Sequence, residues 1–172
     1  MNSKVIYLLT GPKGSGKSFT GKIMEREFGI RFIRVEDKVK EIKKDRQIDD
    51  ESYLEEVFVE IEKMVREALT VHDKIAFEST GLTAHFDRML KNLKKDHNVI
   101  TISVYANEEL CIKRVRSRDK SVHIDVSDEQ VKLINRMVIE KNMITDAVII
   151  NDNINEEELV EEIREIVKNI SL

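Results

Sequence analysis

The glycine-rich stretch at residues 11–18, Gly-Pro-Lys-Gly-Ser-Gly-Lys-Ser, constrains the fold of this chain more than any other segment. It fits the pattern G-x-x-x-x-G-K-[ST], which binds phosphate when it links a strand to a helix. Both neighbours are predicted here, because residues 4–10 form an apolar, β-favouring run and residues 17–28 read as a helix. An ordinary turn would not need the Lys-Ser pair at its end. The sequence therefore predicts a phosphate-binding loop.

The residue types of this loop suit the chemistry of a nucleotide. Glycine adopts positive φ and lets bare backbone approach a ligand, so successive N–H groups can form an anion-binding nest at the positive end of the following helix. Lys17 would reach the β- and γ-phosphates, and Ser18 would ligate Mg²⁺ through its hydroxyl. The loop residues predicted to bind ATP are Gly11, Lys13, Gly14, Ser15, Gly16, Lys17, Ser18 and Phe19.

Length and composition limit the remaining possibilities. The chain has 172 residues and a net charge of −4, which suits a single domain over residues 1–172 and does not favour broad attraction to nucleic acid or to membranes. Its single cysteine, Cys111, excludes an internal disulfide and a zinc cluster of cysteines. The sequence shows neither a long apolar run nor a charged-then-apolar leader, so we expect a soluble cytoplasmic protein, either a monomer or a homodimer.

Apolar runs and amphipathic runs alternate along the rest of the chain. The further strands are predicted at 30–35, 75–77, 99–105 and 147–150. The clearest amphipathic helix follows a capping box of Ser52 and Glu55. Later helices are predicted to begin at Asn107, at Ser127 with Gln130, and at Asn155 with Glu158. Strands that alternate with helices predict an α/β fold, with a parallel sheet covered by helices on both faces.

Polar residues follow the predicted strands at the points where the strands end. Glu36 and Asp37 come after the second strand, Glu78 after the third, and Asn151 after the fifth. Ligands of such sheets bind at the carboxyl ends of the strands, so these residues should share one edge with the glycine loop. Glu78 could hold Mg²⁺ directly or through water, and the alternative is an ordinary surface acid.

A basic segment lies between the fourth and the fifth predicted strands. Arg114 and Arg118 are four residues apart and therefore share a helix face, and the stretch 121–126 after them has no clear period. Arg136 lies on the next predicted helix and could close on the site as a clamp. The alternative for these arginines is a solvated basic face.

Three of these features together resemble the nucleoside-monophosphate-kinase group of P-loop proteins: the stretch 10–18, Arg114 with Arg118 before an irregular segment, and Asn151-Asp152 after the last strand. That group includes adenylate kinase-like, shikimate kinase-like and gluconate kinase-like enzymes. The resemblance spans nearly the whole chain and implies a three-layer P-loop fold with five strands in the order 2-3-1-4-5. It also implies a lid at about 115–127 that carries these arginines over the nucleotide, with Asn151 on the adenine side.

The signatures that would identify the phosphoryl acceptor are absent. The chain has no Asp-Gly-Phe-Pro-Arg as in adenylate kinases, no Gly-Gly-Gly as in shikimate kinases and no Asn-Lys-x-Asp as in GTPases. The resemblance implies an acceptor side formed by helices at about 38–73. Asp37 would accept the proton of a hydroxyl acceptor, with Glu36 as the competing acid. The plain alternative for Asp37 is a helix N-cap.

These observations predict an ATP-dependent kinase that transfers the γ-phosphoryl group of Mg-ATP to a small metabolite or a nucleotide. The predicted catalytic residues are Lys17, Asp37 and Arg118. The residues predicted to join the loop in binding ATP are Arg114 and Asn151, and those predicted to bind Mg²⁺ are Ser18 and Glu78. The alternatives are an ATP-hydrolysing module or end-kinase that acts on RNA, and a nucleotide-binding regulator without turnover.

Overall fold

A five-stranded parallel sheet lies at the centre of the computed structural model, which describes residues 4–47 and 50–170. The strands are β1 Val5–Thr10, β2 Arg31–Phe32, β3 Lys74–Ser79, β4 Asn98–Tyr105 and β5 Ala147–Ile150. They follow the order β2-β3-β1-β4-β5, and every pair is parallel. The predicted fold class and strand order are confirmed. Because β1 pairs with both β3 and β4, the loops after these three strands open beside one another.

Helices cover both faces of the sheet. They are α1 Lys17–Phe28, α2 Val35–Lys43, α3 Glu51–Val71, α4 Ala84–Asp96, α5 Glu108–Arg116, α6 Asp128–Lys141 and α7 Glu156–Ile170. Successive side chains of a strand point to opposite faces, so Ile6 and Leu8 of β1 join the core under α3 and α4. Tyr7 and Leu9 join the core under α1 and α7. Within the described ranges, no helix combines the length and the apolar character needed to cross a membrane.

The helix starts agree with the sequence in three places and differ in one. The caps predicted at Asn107, at Ser127 with Gln130 and at Asn155 with Glu158 are confirmed by their hydrogen bonds. The capping box predicted at Ser52 is wrong, because α3 begins at Glu51 and Asp50 is its N-cap. Asp50 Oδ1 accepts a hydrogen bond from the backbone N–H of Tyr53 at 2.9 Å. Aspartate caps a helix as well as serine does, so local preference alone did not separate the two.

The second strand is shorter than its sequence pattern predicts. A strand was expected over 30–35, but β2 has two residues, which pair with Ile75 and Ala76 of β3, and α2 begins at Val35. Glu36 and Asp37 therefore lie in the first turn of a helix, where the positive end of the helix dipole favours carboxylates. β2 lies at the edge of the sheet and pairs with β3 alone, so few hydrogen bonds favour a longer strand. The preference of Glu36 and Asp37 for the start of a helix therefore outweighed the alternating pattern that predicted a strand. Consecutive residues of a helix point in directions about 100° apart, so these two acids face different neighbours.

Candidate active site

The glycine-rich loop forms a tight cradle between β1 and α1. Gly16 caps α1 with φ of 101°, and a Cβ atom built on it would lie 2.2 Å from Asn151 Nδ2. Gly11 has φ of 135°, and a Cβ there would lie 2.1 Å from the carbonyl oxygen of Val104. Side chains are thus excluded by strain and by space at both positions. Ser15 is fully buried, and within residues 4–47 and 50–170 its Oγ has no hydrogen-bond partner.

Lys17 lies buried against this loop. Its Nζ donates hydrogen bonds to the carbonyl oxygens of Gly11 at 2.9 Å and of Pro12 at 2.8 Å. Burial lowers the pKa of Lys17 from 10.5 to about 8, although the carboxylate of Glu78 acts in the opposite direction. The ammonium therefore carries its charge at neutral pH in a place where water is scarce, and such a charge attracts an anion strongly.

Ser18 and Glu78 meet at the mouth of the loop. Ser18 Oγ donates a hydrogen bond to Glu78 Oε1 at 2.6 Å, across the edge shared by α1 and β3. The two residues expected to ligate Mg²⁺ are therefore side by side. Mg²⁺ prefers oxygen ligands and is usually held by one or two protein groups together with substrate phosphates, so this donor pair fits the ion.

Arg114 of α5 and Asn151, which follows β5, both hold the glycine-rich loop in place. The guanidinium of Arg114 donates to the carbonyl oxygens of Asn151 at 2.9 Å, of Ser15 at 3.3 Å and of Gly14 at 3.4 Å. Asn151 is 5% exposed, and its Nδ2 donates to the carbonyl oxygen of Ser15 at 2.9 Å. Both residues were expected to contact the nucleotide. In the structure their polar groups hold the loop that would contact it.

Asn135 of α6 also holds the loop, and sequence reasoning missed it. Its Oδ1 accepts from the backbone N–H of Lys13 at 2.7 Å, and its Nδ2 donates to the carbonyl oxygen of Lys13 at 3.0 Å. The residue is 3% exposed. A signal was present, because an asparagine occupies the buried stripe of α6 between Val131 and Val138, where the helical period predicts an apolar residue.

Glu36 and Asp37 are separated by the helix turn that carries them. Glu36 accepts from the backbone N–H of Ile124 at 3.0 Å, and its Oε2 lies 2.9 Å from Nδ1 of His123. Asp37 pairs with Arg34 at 3.7 Å, and 63% of its side chain is exposed. The structure thus turns Glu36 towards the segment after α5, whereas Asp37, the acid chosen from the sequence, is exposed and lines a surface cavity with Arg31 and Arg34.

The environment of Glu36 keeps its carboxyl group ionised. Burial alone would raise the pKa of Glu36, but the hydrogen bonds from Ile124 and His123 and the charge of Lys13 hold that pKa below its ordinary value. His123 is therefore part of the site, although the sequence analysis gave it no role.

Three further predicted residues differ in how close they lie to the loop. The charge of Arg118 contributes to lowering the pKa values of Lys13 and Lys17, so it lies near both. Arg136 is exposed, and no hydrogen bond or ion pair joins its side chain to the described residues. Phe19 is 45% exposed on α1. Arg118 is thus near the other cations of the site.

The mouth of the loop therefore combines three cations with two acids. The cations are Lys13, Lys17 and Arg118, and the acids are Glu36 and Glu78; their mutual electrostatic influence is visible in the lysine pKa shifts. Neighbouring like charges raise the free energy of an empty site, and an anion bound between them lowers it. This arrangement suits a polyphosphate beside a metal-ligating pair.

A parallel sheet in this strand order, with a glycine-rich loop leading from β1 into α1, defines a P-loop protein with a kinase-like fold. The chain belongs to the AAA_33 family, described as an AAA domain, whose model matches residues 6–139. The resemblance to the nucleoside-monophosphate-kinase group is thereby confirmed at the level of the group.

Known proteins of similar sequence or structure carry kinase names. Cytidylate kinase of Sulfolobus acidocaldarius is 25% identical over 135 residues, which make up 75% of this chain and 68% of that protein. The structure of shikimate kinase from Bacteroides thetaiotaomicron covers 98% of this chain and 99% of its own, with a TM-score of 0.67 and 14% identity. An APS kinase from Mycobacterium tuberculosis, in complex with AMPPNP and APS, covers 100% of both chains with a TM-score of 0.64 and 12% identity. The two structural similarities show the fold alone.

Proposed function

We propose that this protein is an ATP-dependent phosphotransferase that moves the γ-phosphoryl group of Mg-ATP to a small-molecule or nucleotide acceptor. The observation that carries the proposal is the cation cluster of Lys13, Lys17 and Arg118 at the mouth of a glycine cradle, next to the Ser18–Glu78 pair. The kinase names of the relatives support the same class of reaction.

The nucleotide phosphates would occupy the cradle of backbone N–H groups. The Oγ of Ser15, which has no hydrogen-bond partner among the described residues, supports this, because a buried hydroxyl without a hydrogen bond is costly unless a ligand completes it. Lys17 would leave the carbonyl oxygens of Gly11 and Pro12 and donate to the β- and γ-phosphates. Ser18 and Glu78 would hold Mg²⁺, which when bound neutralises the charge that develops on the phosphate oxygens.

Glu36 replaces Asp37 as the acid proposed to serve the acceptor. Glu36 faces the electrostatic field of Lys13 and the segment 117–127, whereas Asp37 is exposed beside Arg34. An ionised carboxylate at this place would accept the proton of a hydroxyl acceptor as the new bond to phosphorus forms. The irregular segment 117–127 would cover the site as a lid, since it already contacts Glu36.

The test is ADP formation from Mg-ATP across a panel of nucleoside monophosphates, hydroxy acids, sugars and RNA ends. We expect at least one acceptor to raise the rate above that with water alone and to appear as a phosphorylated product in mass spectrometry. The Lys17→Ala variant, checked for folding by circular dichroism, should lose that activity. An ADP rate that no acceptor changes would favour an ATP-hydrolysing module and contradict the proposed transfer.

A further inference from the structure

Lys13 is the second lysine of the glycine-rich loop, and the loop pattern assigns no task to its side chain. Its backbone is held on both sides by one buried amide, since Asn135 accepts from its N–H at 2.7 Å and donates to its carbonyl at 3.0 Å. A residue with both backbone polar groups fixed has a fixed Cα–Cβ direction. The structure therefore orients this lysine with a contact from another element, α6.

The side chain of Lys13 lies among charges from three separate elements. Burial lowers the pKa of Lys13, the carboxylates of Glu36 and Glu78 oppose that effect, and the charge of Arg118 adds to it. Glu36 belongs to the acceptor side, Glu78 to the metal-ligating pair and Arg118 to the segment after α5. Lys13 thus lies where the acceptor acid, the metal-ligating pair and the lid meet.

The ammonium of Lys13 remains free to bind a ligand. In the part of the chain that the structure describes, no carboxylate lies within 4.0 Å of it and no hydrogen bond involves its Nζ. Lys17 differs, because its Nζ is bound to two loop carbonyl oxygens. The two lysines therefore differ in that the Nζ of Lys17 is bound to loop carbonyl oxygens, whereas that of Lys13 is not.

We propose that Lys13 is a second catalytic lysine, which contacts the transferring phosphoryl group on its acceptor side, and that Asn135 is the positioning residue that aims it. This proposal rests on the proposed phosphotransferase function. In the transfer step, the bond between the γ-phosphorus and the β,γ-bridging oxygen breaks, and its electron pair leaves with ADP. The bond from phosphorus to the acceptor oxygen forms, and a hydroxyl acceptor gives its proton to Glu36.

Lys13 keeps its own proton throughout this step. Its N–H groups donate to the equatorial oxygens of the phosphoryl group, where negative charge is spread in the transition state. A donor aimed at that position stabilises the transition state more than the bound substrate, and removal of one such donor typically lowers turnover by about a hundredfold to a thousandfold.

The experiment compares Mg-ADP alone with Mg-ADP plus aluminium fluoride, which mimics the transferring phosphoryl group and needs no acceptor. Titration calorimetry gives Kd for both probes in wild type, Lys13→Met, Lys13→Arg and Asn135→Leu. Lys132→Met, an exposed lysine of the same helix as Asn135, is the matched control. Thermal unfolding of each variant measures any purely structural effect.

We expect Lys13→Met to weaken binding of the fluoride complex by about a hundredfold. Its Kd for Mg-ADP should change by less than about threefold, because that probe lacks the group that Lys13 contacts. Lys13→Arg should recover part of the loss, and Asn135→Leu should weaken the fluoride complex more than Mg-ADP. Lys132→Met should resemble wild type with both probes.

Equal weakening of both probes by Lys13→Met, or no weakening of either, would overturn the proposal. A wild-type protein that binds the fluoride complex no better than Mg-ADP would overturn it as well. A loss confined to the melting temperature would assign Lys13 to stability and reject the catalytic role. Failure of the proposed function gives a different result, since wild type would then transfer phosphate to no acceptor of the panel.

Discussion

The proposed nucleotide side and the proposed acceptor side of the site are held by different kinds of contact. On the nucleotide side, buried Asn135 and Asn151 bind the backbone of the glycine loop directly. On the acceptor side, α2 and α3 pack through apolar side chains such as Val35, Tyr53 and Val57, and ion pairs such as Arg34–Asp37 and Arg46–Glu56 lie at the surface. Exposed ion pairs contribute about 0–1 kcal/mol each, whereas a lost partner of a buried polar group costs about 1–3 kcal/mol.

This difference suits the different ligands proposed for the two sides. A nucleotide has the same phosphates in every reaction of this kind, so a cradle fixed by buried amides suits it. In the proposed function, an acceptor would bind on the side where Glu36 meets Ile124 and His123. The segment 117–127 contacts α2 through the hydrogen bonds of Glu36 with His123 and Ile124, so this segment would have to release Glu36 to admit an acceptor.

The largest expected effect tests which acid belongs to the acceptor side. Glu36→Gln keeps the size of the side chain and its oxygen acceptor but removes the basic carboxylate. With a hydroxyl acceptor, kcat should fall by about two to four orders of magnitude at saturating Mg-ATP. Asp37→Asn is the matched control and should leave kcat within about threefold, since Asp37 is exposed beside Arg34. A large loss in Asp37→Asn with normal Glu36→Gln turnover would restore the acid chosen from the sequence.

The next effect is the free energy of unfolding that the contacts of Arg114 with the glycine-rich loop contribute. Arg114→Met removes the hydrogen bonds from one guanidinium to the carbonyls of Gly14, Ser15 and Asn151. We expect the free energy of unfolding in urea to fall by about 2 kcal/mol, or about thirtyfold in the unfolding constant. Arg116→Met on the same helix removes an exposed pair with Asp128 and should cost less than about 1 kcal/mol. Equal losses in the two variants would show that the contacts of Arg114 are no stronger than a surface pair.

A smaller effect follows from the buried ammonium of Lys17. Because its pKa is about 8, about nine-tenths of this lysine is charged at pH 7 and about one-tenth at pH 9. Phosphates bind the charged form, so Kd for Mg-ADP should rise about tenfold between these pH values in calorimetric titrations. Lys17→Arg cannot titrate in this range and should remove the rise. A wild-type Kd that stays constant up to pH 9 would mean that the pKa of Lys17 is not lowered in the native protein.

The same lysine affects stability with the opposite sign of pH dependence. Between pH 8 and 10.5 the unfolded chain binds more protons than the native chain, because the pKa of Lys17 is lowered in the native chain alone. Its contribution therefore makes the ligand-free protein more stable as pH rises through that window, while nucleotide binding weakens.

The smallest effect tests the start of α3 on the acceptor side. Asp50→Ala removes the N-cap that accepts from Tyr53 and should lower the free energy of unfolding by about 1 kcal/mol. Ser52→Ala is the control, because the Oγ of Ser52 donates to Asp50 and accepts from no backbone N–H of the described residues. A larger loss in Ser52→Ala would favour the capping box that the sequence suggested.

The acids of α2 show why the acceptor side was harder to predict than the nucleotide side. The sequence presents Glu36 and Asp37 as neighbours after a strand, and their order contains nothing that separates their roles. The choice between them depends on where α2 begins and on which side the segment 117–127 crosses it. The second of these depends on a contact between residues more than 80 positions apart, Glu36 with Ile124.

The sequence by itself determined the parallel α/β sheet, the strand order through a family resemblance, and the glycine cradle with Lys17 and Ser18. The sheet and the cradle follow from local rules, since hydrophobic period, helix caps and a loop pattern act over a few residues, whereas the strand order comes from the resemblance alone. The tertiary structure alone decided that Asn135 binds the backbone of Lys13 and that Arg114 binds the carbonyl oxygens at the loop. It also decided that Glu36, and not Asp37, contacts the segment 117–127. These contacts join elements far apart along the chain, and their geometry exists only after the helices have packed against the sheet.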